Sequence, residues 1–166
     1  MHIDKYERIW LLAVSATLGV FFSALIVGAI VFGVRPPSST GFIDPARLDE
    51  TAFAEPGVRD MGDNEYTAYV IARKWTFQPS EIRVPVGARV TFNVTSADIT
   101  HGFYIEQHNA NIEVVPGHIA QQTVTFNEAG EFRMICHEYC GRGHHLMHVA
   151  IIVEDPSEVA TTEELD

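Results

Sequence analysis

The chain has 166 residues, 46% of them hydrophobic, with a formal net charge of −11. That is room for one ordinary domain plus an appendage. The charge argues against nucleic acid or an anionic membrane surface as partners; it suits a basic protein partner, or solubility in high salt, which two lysines against nine arginines would favour.

The appendage comes first. The 26 residues from Ile9 to Val34 carry no charge and are bracketed by Arg8 and Arg35. As a helix they would extend about 39 Å, enough for a hydrocarbon core of about 30 Å with tilt to spare. A signal peptide has a shorter apolar region, and a soluble helix is seldom apolar on every face, so the stretch is read as one transmembrane helix over residues 9–34. Lys5 and Arg8 precede it, while Arg35 and Arg47 follow, so flanking charge hardly fixes its direction. The simplest topology keeps residues 1–8 as a cytoplasmic stub and exports the rest.

Residues 35–60 are rich in Pro, Gly, Ser and acids with weak periodicity, and read as a linker. From residue 61 to 154 the pattern changes. Runs such as YTAYVIAR, EIRVPV, RVTFNVT, TVTFN, EFRMIC and HVAIIVE alternate with turn signals at Pro79, Gly87, Pro116-Gly117 and Gly130. Short strands at this spacing predict an all-β Greek-key sandwich or barrel of about 90 residues. Residues 155–166 read as a solvated acidic tail. His101 is expected to end an early strand, while both cysteines fall in the last inter-strand loop. Loops of such a sandwich gather at one end, where these residues can meet.

That last loop is CHEYCGRGHHLM, residues 136–147. A disulfide between Cys136 and Cys140 would close a very small loop, add little stability, and leave His144 and Met147 unexplained. Structural zinc has little use for a thioether. Thiolate, imidazole and thioether together favour copper. Cys140, His144 and Met147 with His101 would make a mononuclear blue-copper set, with Cys136 in surplus. Two bridging thiolates would instead hold two copper ions, each with one imidazole and a weak outer ligand. The spacing suits the pair better.

Asp98-x-x-His101-x-Phe103 and Cys136-x-Glu138-x-Cys140-Gly141-x-x-His144-x-x-Met147 resemble the CuA domain of cytochrome c oxidase subunit II, over about Tyr66 to Val153. The resemblance implies a cupredoxin fold and a binuclear copper centre. Its ligands would be His101, Cys136, Cys140, His144 and Met147, with Glu138 ligating through its backbone carbonyl. It implies electron transfer from a soluble donor, cytochrome c or a small blue-copper protein, to haem in a catalytic subunit I that reduces oxygen. The copper domain would then face the outer or periplasmic side of the cell membrane. Glu138 could also reach a magnesium ion shared with that subunit, as its counterpart does in some members. Trp75 is a candidate for the electron-entry surface, against the blander reading of a core aromatic. Asp98 is a candidate supporting or interface acid. His108, His118, His137, His145 and His148 read as surface residues or neighbours of the ligands, and His2 lies before the span. A single span resembles the B-type branch of haem–copper oxygen reductases, since mitochondrial-like subunits II have two. The nitrous oxide reductase site shares the motif, but no second large copper domain is present here. Rivals are a stand-alone membrane-anchored blue-copper carrier and a copper chaperone or store.

Overall fold

A computed structural model describes residues 4–31 and 38–155. The stub's first residues with His2, the end of the expected span (32–34), and residues 156–166 of the expected tail lie outside the described residues. The chain divides into two units, Met1–Pro36 and Pro37–Asp166.

The first unit contains one helix, α1 (Lys5–Val31). It starts four residues before the uncharged run begins at Ile9, because Asp4 caps it. The Tyr6 N–H donates to Asp4 Oδ1 at 2.8 Å, and the Arg8 N–H to the Asp4 carbonyl at 3.0 Å. Two mid-helix hydroxyls are satisfied internally: Thr17 donates to Ala13 O at 2.9 Å and Ser23 to Gly19 O at 2.8 Å. An apolar helix can therefore present these faces to lipid without a stranded polar group. With a mean hydropathy of 2.3 over its most apolar window, it is long and apolar enough to cross a membrane.

The second unit is a two-sheet sandwich. One sheet orders β1 (Ser38–Phe42), β9 (His118–Thr125), β6 (Arg89–Ser96), β3 (Glu65–Arg73) and β2 (Gly57–Asp60), with β4 (Thr76–Gln78) pairing on β3. The other orders β5 (Glu81–Pro85), β11 (His148–Glu154), β10 (Gly130–Ile135), β7 (His101–Ile105) and β8 (Ala110–Val114). Alternation decides which faces meet: Ile112 and Val114 of β8, Ile82 and Val84 of β5, and Val149, Ile151 and Val153 of β11 all point inward. At the centre Phe92 meets Phe103 and Phe126, ring centroids 5.3 and 6.4 Å apart. Each such buried ring contributes roughly 1.5–3 kcal/mol by removal from water. Two pairings, β3 with β6 and β11 with β5, are parallel.

Two expectations are corrected here. Residues 35–60 are not a linker throughout, and the second unit begins at Pro37, not 61. Strand β1 pairs with β9, and β2 pairs with β3. Between them Leu48 and Phe53 are buried with Ile71 in a small second core, into which Ile43, Tyr69, Ala97 and Ile119 pack. A few well-placed apolar residues anchor this arm without giving it periodicity. Second, His101 does not end a strand. Strand β6 stops at Ser96 and His101 opens β7.

Candidate metal centre

Strands β10 and β11 are antiparallel neighbours, with Ile135 facing His148. The loop between them, residues 136–147, is closed at its base by a bond from the Cys136 N–H to the Met147 carbonyl at 3.0 Å. Its second half is tightened by a short 3-10 turn at His144–Leu146, with the His144 N–H donating to Gly141 O at 3.1 Å. Strand β7 lies on the other side of β10, with Tyr104 facing Ile135, and so delivers His101 to the same end.

All six expected ligands converge there. Cys136 and Cys140 are free and buried, their Sγ atoms 3.8 Å apart. Cys136 Sγ lies 3.9 Å from His101 Nδ1 and 3.2 Å from the Glu138 carbonyl oxygen. Cys140 Sγ lies 3.6 Å from His144 Nδ1 and 3.7 Å from Met147 Sδ. Each sulfur thus has one imidazole and one weak donor beside it. The His101, Cys136 and Cys140 donor atoms all lie within 4.8 Å of one another. The donor chemistry fits copper: two thiolates, two imidazoles and a thioether, of which zinc would use the last poorly.

Asp98 holds His101 in place. Its Oδ1 lies 2.8 Å from His101 Nε2, so the ring donates Nε2–H to the carboxylate and turns its Nδ1 lone pair to the sulfurs. The same carboxylate accepts from the Lys74 N–H at 2.7 Å and the Ile99 N–H at 2.7 Å. Burial raises the Asp98 carboxyl, but these bonds, that of His101 first, outweigh it and leave it below its usual range. For His101 burial works downward, while Cys136 and Asp98 together raise it.

The two thiols are driven apart. Burial pushes both up, but His101, the Gly102 N–H and the neighbouring groups bring Cys136 down to about 6. Cys140, beside that charge, is pushed up to about 11. Titration of the metal-free domain, followed by thiolate absorbance in the ultraviolet, is expected to show two separated steps near those values. A joint step close to the ordinary thiol value of 9.0 would mean that the sulfurs do not interact.

Trp75 sits on the ligand loop. Its indole N–H donates to the Cys140 carbonyl at 3.1 Å, and 41% of the residue is exposed. Room for the ring comes from Gly143, where a Cβ would stand 2.5 Å from indole carbons. Gly102 does the same on the other side, where a Cβ would come 1.7 Å from His137 Nδ1 and 2.7 Å from the Glu138 backbone nitrogen. The His137 ring stacks on Tyr104, centroids 6.4 Å apart. Sequence reading names the candidate ligands, Asp98 and Trp75 as residues of this end but misses the two glycines and the Lys74 amide. A glycine's use is visible only once something is seen to lie over it. Of the remaining histidines, His145 and His148 are exposed, while His108 is wedged between Phe126 and Phe132 at 4.7 Å from each ring, far from the centre in the fold.

A family model described as cytochrome c oxidase subunit II, periplasmic domain, matches residues 63–154. One cytochrome c oxidase subunit 2 of Thermus thermophilus is 39% identical over 158 residues, covering 92% of this chain and 94% of its own length. A second Thermus thermophilus subunit 2 is 41% identical over 126 residues, covering 74% and 93%. Among solved structures, a chain of a heme-copper terminal oxidase dimer superposes with a TM-score of 0.78 at 31% identity, covering 90% of this chain and all (100%) of that one. The periplasmic domain of subunit II of the Bradyrhizobium japonicum cytochrome oxidase superposes with a TM-score of 0.51 at 25% identity, covering 59% and 90%.

Proposed function

The chain belongs to the cytochrome c oxidase subunit II family, with a cupredoxin-like fold, and from that premise we propose that its paired donor set holds a binuclear copper centre through which electrons enter the oxidase. It is a membrane-anchored subunit of an oxidoreductase complex and associates with the catalytic subunit. The observation that carries the binuclear reading is the symmetry of the donors: each thiol has its own imidazole and its own weak ligand. A mononuclear blue-copper carrier built on Cys140, His144, Met147 and His101 leaves Cys136 and its neighbouring Glu138 carbonyl without a task.

When bound, a copper pair supplies a one-electron store whose charge is spread over two ions and two sulfurs. The chain's own residues do the rest. Asp98 fixes the ring of His101, so the ligand cannot turn when the centre's charge changes. Cys136, Cys140 and Met147, each no more than 3% exposed, keep water from the sulfurs. Trp75 offers a half-exposed ring bonded to the carbonyl of a ligand, a short path from a docked donor, which is a cytochrome c or a small blue-copper protein. Glu138 would ligate through its carbonyl, while its exposed carboxylate would be free to help hold a magnesium ion against the catalytic subunit.

The deciding measurement is copper per chain. Two coppers and a seven-line hyperfine pattern are expected once the thiols have been reduced and the site fully loaded; one copper with four lines would sink the pair. Thiolate copper of this kind belongs in an exported compartment, which puts the domain outside and Lys5 inside. Protease access in right-side-out membranes should then remove the β-domain and spare the N-terminus. Protection of the domain would reverse the topology.

A further inference from the structure

The two imidazoles of the donor set are held unequally. His101 is fully buried, and its Nε2 is bonded to Asp98. Among the described residues His144 Nε2 has no hydrogen-bond partner, and the exposed Tyr139 stands against the ring, centroids 5.8 Å apart. The place of His144 is therefore set by its backbone. That backbone is the 3-10 turn, which hangs on two glycine carbonyls. The His144 N–H donates to Gly141 O at 3.1 Å, and the Leu146 N–H to Gly143 O at 3.0 Å. Two glycines in three residues make this the freest segment of the loop, and Gly141 stands at φ +109°, where other residues rarely go.

Trp75 removes that freedom. With Lys74 it forms the two-residue turn between β3 and β4, where Arg73 faces Thr76. Its indole N–H closes on the Cys140 carbonyl at 3.1 Å, and its ring lies against both glycines. A Cβ on Gly141 would stand 3.3 Å from Nε1, and one on Gly143 2.5 Å from ring carbons. The Lys74 N–H of the same turn bonds Asp98 at 2.7 Å. One paired hairpin thus reaches both halves of the donor set, His101 through Asp98 and the Cys140–His144 segment through Trp75. We propose that Trp75 is a positioning residue for the metal centre: it braces the Cys140–His144 half as Asp98 braces His101, and so sets the reduction potential, over and above any path it offers to electrons. The potential rests on the copper reading above, whereas the brace is a property of the metal-free chain. The sign follows from the dipole. The indole N–H turns its positive end towards Cys140, which favours the reduced, more electron-rich state.

The test begins with the metal-free full chain in detergent, its thiols reduced. Trp75→Phe keeps an aromatic ring over Gly143 and removes the N–H. Hydrogen exchange at the His144, Leu146 and Met147 amides, which hold the turn, should speed up about two- to tenfold, the weight of one hydrogen bond. Amides of β10 and β11 should keep their rates. Gly143→Ala, which lifts the ring from the other side, should have the same effect. In the assembled oxidase, a redox titration without any protein donor should then place the Trp75→Phe centre lower, by up to a tenfold change in the reduction equilibrium, about 59 mV for one electron. Parent exchange rates in both variants would overturn the proposal, however much reduction by a donor had slowed, because Trp75 would then be a path alone. Faster exchange at an unchanged potential would overturn it too, since the brace would not reach the metal. If the parent oxidase takes up one copper with four hyperfine lines, the binuclear reading fails instead, and the exchange rates still decide whether Trp75 braces the loop.

Discussion

Replacing Cys136 by serine is expected to leave a coloured, copper-binding protein that has lost its mixed-valence signal. Cys140 keeps its imidazole at 3.6 Å and its thioether at 3.7 Å, so one complete site survives. What disappears is the second thiolate, the sulfur nearest His101 Nδ1 and the Glu138 carbonyl, which would be needed to hold a second ion. A lone ion with one thiolate must reorganise more on reduction and sits at a different potential. Electron delivery to the oxidase should fall by about two orders of magnitude, the upper range seen when even a supporting contact at a metal site is lost. The readouts are copper per chain, hyperfine pattern and turnover. Were Cys136 a bystander, spectrum and rate would both match the parent protein, and the binuclear assignment would fail.

Gly102→Ala is expected to damage the site as severely, through space and not through ligation. The added Cβ would meet the His137 ring at 1.7 Å and the Glu138 backbone nitrogen at 2.7 Å. The ring can swing off Tyr104, but the backbone of the ligand loop has nowhere to go except away from Cys136. Overpacking of this sort costs about 1–3 kcal/mol, or several degrees in Tm for a domain of this size. It also pulls the Gly102 N–H from the Cys136 sulfur it stabilises. Thermal unfolding of the metal-free domain and copper retention on dialysis should both worsen. Adding His137→Ala should restore part of the stability but not the retention, because the backbone contact remains. Unchanged melting and unchanged retention in Gly102→Ala would show that the loop adapts freely.

The convergence of the candidate ligands is legible in the sequence because they are local and chemical: five of the six positions lie between Cys136 and Met147, and their donor types point to one class of metal. The long strands are legible for a similar reason, since β3, β6 and β11 are rich in β-branched and aromatic residues and β6 and β11 also alternate. The arm is not. Strand β1 is the five-residue segment SSTGF at a sheet edge, and β2 has four residues, so neither is long enough to show a period. Leu48 and Phe53 are buried singly among polar neighbours, a pattern that only the sheet beneath them explains. Strands β7 and β8 escape a sequence reading because HGFYI and ANIEV are short and carry polar ends, and with them goes the correct place of His101 at a strand's beginning. For Trp75 the sequence alone leaves a core alternative open; the bond to Cys140 and the glycine beneath its ring explain why it stays half outside.

The division of donors between one loop and one distant strand bears on the order of events during biogenesis. A newly made chain already holds both thiols, one of the two candidate ligand imidazoles and the thioether within the single segment 136–147, before any strand has paired. The other imidazole arrives only when β7 and β10 come into register, with His101 bonded to Asp98. The parallel pairing of β11 with β5, whose partners lie some 70 residues apart, must also close the sandwich. On the binuclear reading, an unfolded chain could therefore capture metal, or lose its nearby thiols to an external oxidant, but it could not complete the pair. Completion reports that folding has finished, and a copper ion seated too early would lack the one ligand that only the finished fold can deliver.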